Sequence, residues 1–194
     1  MMSKKGKICL IVGTRPNFMK IAPIINQMKI LDIDFILVHT GQHYDNTMSE
    51  DIMSDLNLDK PDYYLDVRGG SHAVQTSRIM RKFEKVCIKM KPNLVVVPGD
   101  VNSTLACALV AAKMNIPVAH IESGLRSFDK NMPEEKNRIL VDHISDLLFV
   151  SEISGIDNLK KEGISGDMVH LVGNCMIDSL ISILPKSKEK KPWK

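Results

Sequence analysis

Short apolar runs recur at regular intervals along the 194-residue chain, and stretches with helical periodicity separate them. The runs are rich in Val, Ile and Leu and mostly lack strict alternation, as expected for strands that are covered on both faces. Repeated alternation of strand and helix predicts a doubly wound α/β domain with a parallel sheet. The predicted strands are residues 7–13, 34–40, 63–66, 93–98, 117–123, 146–151 and 168–173.

The stretches between the strands place apolar residues on one stripe, as amphipathic helices do. Because βαβ crossovers are right-handed, all the strands should end at the same edge of the sheet. Ligands bind at that edge in such folds, above all where the strand order reverses. The stripes are Phe18, Ile21, Ile25 and Met28 in the first stretch, Ile79, Phe83, Val86 and Met90 in the second, and Leu105, Leu109 and Ala112 in the third.

Composition narrows the class of protein. With 44% hydrophobic and 25% charged residues, the sequence is that of a globular domain. No apolar run approaches the roughly 20 residues that span a bilayer. The basic start is followed by an apolar stretch too short for a signal peptide, so a cytoplasmic protein with no membrane partner is expected. The cysteines are far apart in apolar surroundings and are predicted to be reduced core or near-core residues: Cys9, Cys87, Cys107 and Cys175.

The positive charge is concentrated at the C-terminus. Residues 186–194 hold five lysines and one glutamate, whereas the whole chain has a net charge of +3. We interpret residues 181–194 as a linker or tail. The sequence has neither a zinc-binding pattern nor basic residues interleaved with aromatic ones, so no nucleic-acid partner is expected.

Charged and other polar residues cluster where the predicted strands end. Each residue has an ordinary structural explanation, but their concentration at one edge indicates a binding site. They are Arg15 and Lys20 after the first strand, Gln42 and His43 after the second, Asp100 after the fourth, and Glu122 and Arg126 after the fifth.

The cations at the first strand end favour an anionic ligand. Arg15 and Lys20 stand at the start of a predicted helix, where a cation opposes the helix dipole unless an anion is bound there. Asp100 could simply cap the following helix, as could Asn102 or Ser103. Glu134 and Arg138 are spaced i, i+4 and could form only a surface pair.

Asp100 and Glu122 are predicted to face one crevice. Two carboxylates so placed would raise each other's proton affinity and could act as acid and base. His39 and His120, inside strands, are expected to be core or near-core histidines with satisfied hydrogen bonds. Nicotinamide, P-loop and nucleophile-elbow motifs are absent from the sequence, so we expect neither a cofactor nor a metal.

In combination these residues resemble the non-hydrolysing UDP-N-acetylglucosamine 2-epimerases, over about residues 7–180. That family has two Rossmann-like domains in the glycosyltransferase-B arrangement. It interconverts UDP-GlcNAc and UDP-ManNAc for surface polysaccharides. The resemblance rests on "VGTRPNFMKIAPI", "HTGQHYDNTMS", "KPNLVVVPGDVNST", "PVAHIESGLRSFDKNMPEEKNRILVDHISDLLFVS" and "VGNCMIDSL".

The resemblance implies roles for matching positions and a homodimer that binds a UDP-sugar. Asp100, Glu122 and Glu134 would be the acid–base residues. The residues that bind substrate or line the cleft would be Arg15, Lys20, Gln42, His43, Arg126 and Arg138. UDP would leave C1 as the proton leaves C2, and re-addition with a proton on the other face would invert C2.

The chain departs from the family in residues and in length. Asn17 stands where Glu is common, Val101 where Thr is usual, and Ser123 where Ala is usual. Residues 1–180 match the N-terminal domain, and the family's C-terminal domain is absent from this sequence. Two alternatives therefore remain open: an inactive half-domain that binds a nucleotide sugar or dimerises, and, more distantly, a glycosyltransferase of the same architecture.

Overall fold

The computed structural model describes residues 7–41 and 53–190, and within them lies one parallel seven-stranded sheet flanked by helices. Every predicted strand is present, and each is shorter than predicted at one or both ends. The strands are β1 (Ile8–Val12), β2 (Phe35–His39), β3 (Tyr63–Tyr64), β4 (Leu94–Pro98), β5 (Val118–Ser123), β6 (Leu147–Val150) and β7 (Val169–Leu171).

Six helices of nine or more residues connect or follow these strands in the described part of the chain. Their bounds are α1 (Arg15–Ile30), α2 (His72–Met90), α3 (Asn102–Lys113), α4 (Pro133–Ile144), α5 (Ile153–Lys161) and α6 (Cys175–Lys190). None of the helices described is long and apolar enough to cross a bilayer.

The strand order is β3-β2-β1-β4-β5-β6-β7. The chain therefore starts at β1 in the middle, builds outward to β3, and then returns to place β4 on the other side of β1. The strand order reverses between β1 and β4, and this is the point at which doubly wound sheets open a crevice for ligands.

Both faces of the sheet are buried. Side chains of successive strand residues point to opposite faces, and β1 shows the result directly. Cys9 and Ile11 join the core cluster beneath α2 and α3, whereas Leu10 and Val12 join the cluster beneath α1. This explains why the strands read as continuous apolar runs rather than alternating ones.

The cysteines are free thiols, as predicted. Cys9, Cys87 and Cys107 are buried, and Cys175 is partly buried. Burial, with a contribution from the charge of Glu84, raises the pKa of Cys87 to about 11. A thiol with so high a pKa stays protonated and unreactive at neutral pH.

The last helix crosses the predicted boundary between domain and linker. Helix α6 runs without interruption from Cys175 to Lys190 and packs against α1, and Ser179 donates a hydrogen bond to the Met19 carbonyl at 2.5 Å. Secondary structure therefore does not change at residue 180, and the boundary there stays a prediction.

Candidate functional site

The turn from β1 into α1 is held by one buried side chain. Asn17, 2% exposed, accepts hydrogen bonds at Oδ1 from the backbone N–H groups of Gly13 and Thr14, both at 3.0 Å. Its Nδ2 lies 3.4 Å from the carbonyl of Pro98 at the end of β4. Asn17 thus connects the two strand ends on either side of the reversal and fixes the start of α1, whose first residue is the exposed Arg15.

Lys20 forms an ion pair with Glu122 across this crevice. The Lys20 side chain is 11% exposed and that of Glu122 is 15% exposed, so both charges are largely withdrawn from water but still reach the surface. Charges that are screened less by solvent interact more strongly than surface pairs. The structure therefore brings together one predicted cation and one predicted acid–base residue.

Glu122 has a strained backbone. Its φ is +67°, a conformation that is unfavourable for any residue with a Cβ. The pairing of β5 with β6 shifts at this position, as in a β-bulge. Bulges redirect side chains and occur often beside active sites. Here the irregularity directs the Glu122 carboxylate to Lys20.

Gly99 leaves room for this ion pair. A Cβ on Gly99 would lie 2.8 Å from Lys20 Nζ and 3.8 Å from Glu122 Oε2. Its φ of +66° also favours glycine. The ion pair therefore lies against the residue that directly precedes Asp100.

Asp100 is held from α4 at both its side chain and its backbone. Arg138 forms an ion pair with the Asp100 carboxylate, and Asn137 Nδ2 donates to the Asp100 carbonyl at 2.8 Å. The Asp100 side chain is 30% exposed. The expectation that Asp100 and Glu122 act on each other is modified, because each is paired with its own cation.

The expected helix cap after β4 is wrong for each residue considered. Val101 is the N-cap of α3, and no side chain caps that end. Asn102 Nδ2 instead donates to Gln75 Oε1 at 2.6 Å, and the Ser103 hydroxyl lies 2.6 Å from that of Thr40. These contacts join α2, α3 and the end of β2, which is a tertiary function that the capping pattern does not reveal.

Glu135 organises the loop before α4. Its carboxylate accepts hydrogen bonds from the backbone N–H groups of Ser127 and Phe128, each at 2.9 Å, and lies 3.1 Å from Arg138 Nη1. Burial raises the pKa of Glu135, but the hydrogen bonds from Ser127 and Phe128 and the Arg138 charge outweigh burial and hold that pKa below its ordinary value. Glu135 therefore stays ionised and orients Arg138 toward Asp100.

Glu134 lies in the first turn of the same helix but does not make the contacts that Glu135 makes. It shares a face of α4 with Asn137 and Arg138, at spacings i+3 and i+4, and is partly buried. The surface pair between Glu134 and Arg138 does not form, because Arg138 binds Asp100 and Glu135. In the part of the chain that is described, no hydrogen bond or ion pair engages the Glu134 carboxylate.

Arg126 is not presented to the crevice as Lys20 and Arg138 are. Its side chain is 1% exposed, and Nη2 lies 2.7 Å from a carboxylate oxygen of Asp142 and of Glu162. Although burial lowers its pKa, the hydrogen bonds and charges of Glu162 and Asp142 raise it above the ordinary value. Arg126 is therefore occupied by protein carboxylates, and direct binding of substrate by this residue stays a prediction.

Gln42 and His43, both predicted to bind substrate or line the cleft, lie outside the residues that the structure describes. Among residues 7–41 and 53–190, no group of three or more His, Cys, Asp or Glu side chains is arranged to hold a metal ion.

Sequence analysis did not reveal the contacts that hold the site together. Asn17, Glu135, Asn137, His120 and Asp142 make hydrogen bonds to the loops that carry the candidate acids. Polar side chains at helix starts gave a weak signal for Asn17 and Glu135. Nothing local in the sequence connects His120 with Asp142, which is 22 residues further along.

Comparison with known protein families gives a match over most of the chain. A family model described as UDP-N-acetylglucosamine 2-epimerase matches residues 26–193. The UDP-N-acetylglucosamine 2-epimerase of Methanococcus maripaludis is 48% identical over 178 residues, which cover 92% of this chain and 48% of the relative. The UDP-2,3-diacetamido-2,3-dideoxy-D-glucuronate 2-epimerase of Pseudomonas aeruginosa is also 48% identical, covering 90% of this chain and 50% of the relative.

Comparison with solved structures identifies the same part of a longer protein. The UDP-GlcNAc 2-epimerase of Methanocaldococcus jannaschii, in complex with UDP-GlcNAc and UDP, superposes with a TM-score of 0.93 at 44% identity. The match covers 95% of this chain and 51% of that one. The chain thus spans about half the length of the curated relatives that it matches.

Proposed function

Because the chain belongs to the UDP-N-acetylglucosamine 2-epimerase family, we propose that it is the N-terminal half of an enzyme that interconverts UDP-GlcNAc and UDP-ManNAc. The observation that carries the proposal is the convergence of two carboxylate–cation pairs, Lys20–Glu122 and Arg138–Asp100, on consecutive strand ends beside the reversal of strand order.

The reaction needs a base, an acid and stabilisation of a leaving anion. The hydrogen on C2 is not next to a carbonyl, so its removal becomes feasible only as UDP departs from C1. An unsaturated sugar and UDP remain in the site, and re-addition of UDP with a proton delivered to the opposite face of C2 inverts that centre. Asp100, Glu122 and Glu134 supply the proton-transfer groups.

The cations serve the departing diphosphate and the acids. Lys20 lies within the second turn of α1, where its charge and the backbone N–H groups of the helix start favour a phosphate. Exposed Arg15 supplies a second cation at the same turn. Arg138 orients the Asp100 carboxylate. Gln42 and His43 line the cleft in this proposal, and Arg126 acts by fixing the loop after Glu122.

No cofactor or metal enters the proposed reaction. The C2 proton leaves and another returns, and the C1–O bond to UDP breaks and re-forms, so the sugar undergoes no net oxidation. The cations and helix amides carry the electrostatic stabilisation.

The direct test of the proposal is the conversion of UDP-GlcNAc into UDP-ManNAc. The protein made from its full reading frame is incubated with UDP-GlcNAc, and the anomeric signals are followed by proton NMR. We expect UDP-ManNAc to appear until both sugars reach equilibrium. Transfer of the sugar to an acceptor, with no 2-epimer, would support the glycosyltransferase alternative instead.

The same assay on the 194-residue chain tests the alternative that it is an inactive half-domain. The length of the match, about half of each relative, favours that alternative. An open half-cleft admits water, so we expect weak binding and little turnover from this chain alone. Turnover at the rate of the full protein would exclude an inactive half-domain.

A second substrate follows from one relative. The Pseudomonas aeruginosa protein named for UDP-2,3-diacetamido-2,3-dideoxy-D-glucuronate is as similar to this chain as the Methanococcus one. Parallel assays with that sugar nucleotide and UDP-GlcNAc distinguish the two substrates by their kcat/KM values.

The remaining expectations rest on the family resemblance. We propose a cytoplasmic homodimer that supplies precursors for surface polysaccharide, with no nucleic-acid or membrane partner. Sedimentation of the full protein tests the dimer. A monomer at assay concentration would contradict a homodimer.

A further inference from the structure

A fully buried histidine and aspartate lie behind the two strand ends that carry Asp100 and Glu122. The side chains of His120, on β5, and Asp142, on α4, are each 0% exposed. His120 Nδ1 is 2.6 Å from Asp142 Oδ1, and His120 Nε2 is 2.7 Å from the Gly99 carbonyl oxygen. Both ring nitrogens are therefore occupied by oxygen atoms.

The partners indicate where the protons are. A backbone carbonyl can only accept, so His120 Nε2 must carry a hydrogen. On the other side, Asp142 Oδ2 accepts from the Gly124 N–H at 3.1 Å and lies 2.7 Å from Arg126 Nη2. An aspartate with those partners is ionised.

The ionisation of Asp142 is supported by its surroundings. Burial raises the pKa of Asp142, but the hydrogen bond and charge of His120 and the charge of Arg126 outweigh burial and lower that pKa below its ordinary value. The charged groups that face this cluster come from three segments: Asp142 from α4, Arg126 from the loop after β5, and Glu162 from the end of α5.

This pair connects the two loops of the candidate site. The Gly99 carbonyl belongs to the peptide unit that leads into Asp100, and the Gly124 N–H follows Glu122 after the bulge. Holding both peptide groups from one buried pair fixes the separation and direction of the two carboxylates. An apolar side chain at this position could not donate a hydrogen bond to the Gly99 carbonyl and so would not orient the peptide plane before Asp100.

We propose that His120 carries a hydrogen on Nε2 and acts as a positioning residue, which with Asp142 fixes the Gly99–Asp100 and Glu122–Gly124 segments. It touches no substrate atom in this proposal. The catalytic consequence rests on the epimerase function proposed above, whereas the protonation state and the hydrogen bonds do not.

The protonation state has a spectroscopic test that is independent of activity. The 194-residue chain is labelled with ¹⁵N-histidine, and the His120 signals are assigned by their loss in His120→Gln. We expect Nε2 of His120 to give the shift of a protonated ring nitrogen, as donation to the Gly99 carbonyl requires. An unprotonated Nε2 would overturn the proposal, whatever the enzyme's reaction.

Two substitutions separate the two hydrogen bonds. The amide of His120→Gln can occupy the position of Nε2 and donate to Gly99, whereas that of His120→Asn can occupy the position of Nδ1 and contact Asp142. Both remove the ring, so their loss of packing is comparable.

Catalysis by the full protein tests the positioning role. A misplacement of about 1 Å costs on the order of 100-fold in rate, so we expect His120→Asn to lower kcat by about that factor, with KM nearly unchanged. His120→Gln should retain at least about tenfold more activity than His120→Asn, because it keeps the Gly99 contact. Equal losses in both variants, or a change confined to KM, would contradict positioning through Gly99. If neither variant folds, the spectrum of the unsubstituted chain still decides the protonation claim.

Discussion

Lys20 and Glu122 form an ion pair although 102 residues of sequence number separate them, one in the second turn of α1 and the other in the bulge of β5. Glycine at position 99 lies against both charged groups. The pair therefore connects the ends of the first, fourth and fifth strands, and the proposed chemistry depends on this contact.

Removal of the Lys20 charge should impair catalysis more than any nearby surface change. Lys20→Met keeps most of the side-chain volume but leaves the Glu122 carboxylate, 15% exposed, without its cation. We expect kcat to fall by about 100-fold or more, as when one preorganised electrostatic group is lost from an active site. Steady-state kinetics of the full protein measure this.

Lys29→Met is the matched control on the same helix. Lys29 pairs with Asp59, whose side chain is 79% exposed, and surface pairs contribute at most about 1 kcal/mol. Activity should stay within about twofold of the unsubstituted protein. Equal effects of the two lysine substitutions would refute a special role for Lys20.

Gly99→Ala should displace Lys20. Alanine at φ +66° is strained, and its Cβ would lie 2.8 Å from Lys20 Nζ. Gly163→Ala is the control, because it has a similar φ of +82° but nothing within 4 Å of its Cβ. We expect both variants to lose about 1 kcal/mol of unfolding free energy from strain, and only Gly99→Ala to lose activity. An active Gly99→Ala would show that the ion pair tolerates displacement.

His39 should make the folded state sensitive to mild acid. It is 2% exposed, its Nδ1 has no hydrogen-bond partner among the residues described, and Phe18 stacks on it at 5.5 Å. Burial lowers the pKa of His39 from 6.5 to about 4. Below pH 6.5 the unfolded chain binds a proton that the folded chain does not, so stability falls as the pH drops toward 4.

His39→Phe tests this contribution. From about pH 7 to about pH 5, the unsubstituted chain should lose about 2 kcal/mol more unfolding free energy than His39→Phe. His143→Gln is the matched control, because it alters an exposed histidine. Urea denaturation at both pH values provides the measurement, and parallel pH dependence of all three proteins would disprove the assignment to His39.

Ser123→Ala should not destabilise the protein. The Ser123 hydroxyl is fully buried and has no hydrogen-bond partner in the described part of the chain. Its removal relieves an unsatisfied polar atom, so we expect a change between zero and about +1 kcal/mol in stability. Ser145→Ala is the contrast, because the buried Ser145 hydroxyl donates to the Val141 carbonyl at 2.7 Å, and its loss should cost about 1 kcal/mol. Similar destabilisation by both substitutions would show that Ser123 has a partner.

The sequence was sufficient to predict the sheet and the edge of the site. Apolar runs covered on both faces specify a parallel sheet, and parallel strands bring their ends together whatever the intervening loops contain. Lys20, Asp100 and Glu122 could therefore be assigned to one edge, whereas Arg138 was assigned to the site only through the family resemblance. Their pairing could not be predicted, because partners distant in sequence leave no periodic signal.

Arg126 illustrates what local reasoning cannot supply. Arg126 lies in the loop after β5, where strand periodicity no longer predicts the direction of a side chain. Its guanidinium is bound by Asp142 and Glu162, two partners that are distant in sequence. Arg138 likewise pairs with Asp100, which is distant in sequence, rather than with Glu134, four residues before it.

The most direct measurement of the central claim is hydrogen exchange at C2. The full protein is incubated with UDP-GlcNAc in heavy water, and the sugar is analysed by NMR and mass spectrometry. If the acids at the strand ends remove and return the proton, UDP-ManNAc will carry one deuterium at C2, and Glu122→Gln will greatly slow its appearance. Inversion at C2 without solvent deuterium at that carbon would contradict the account.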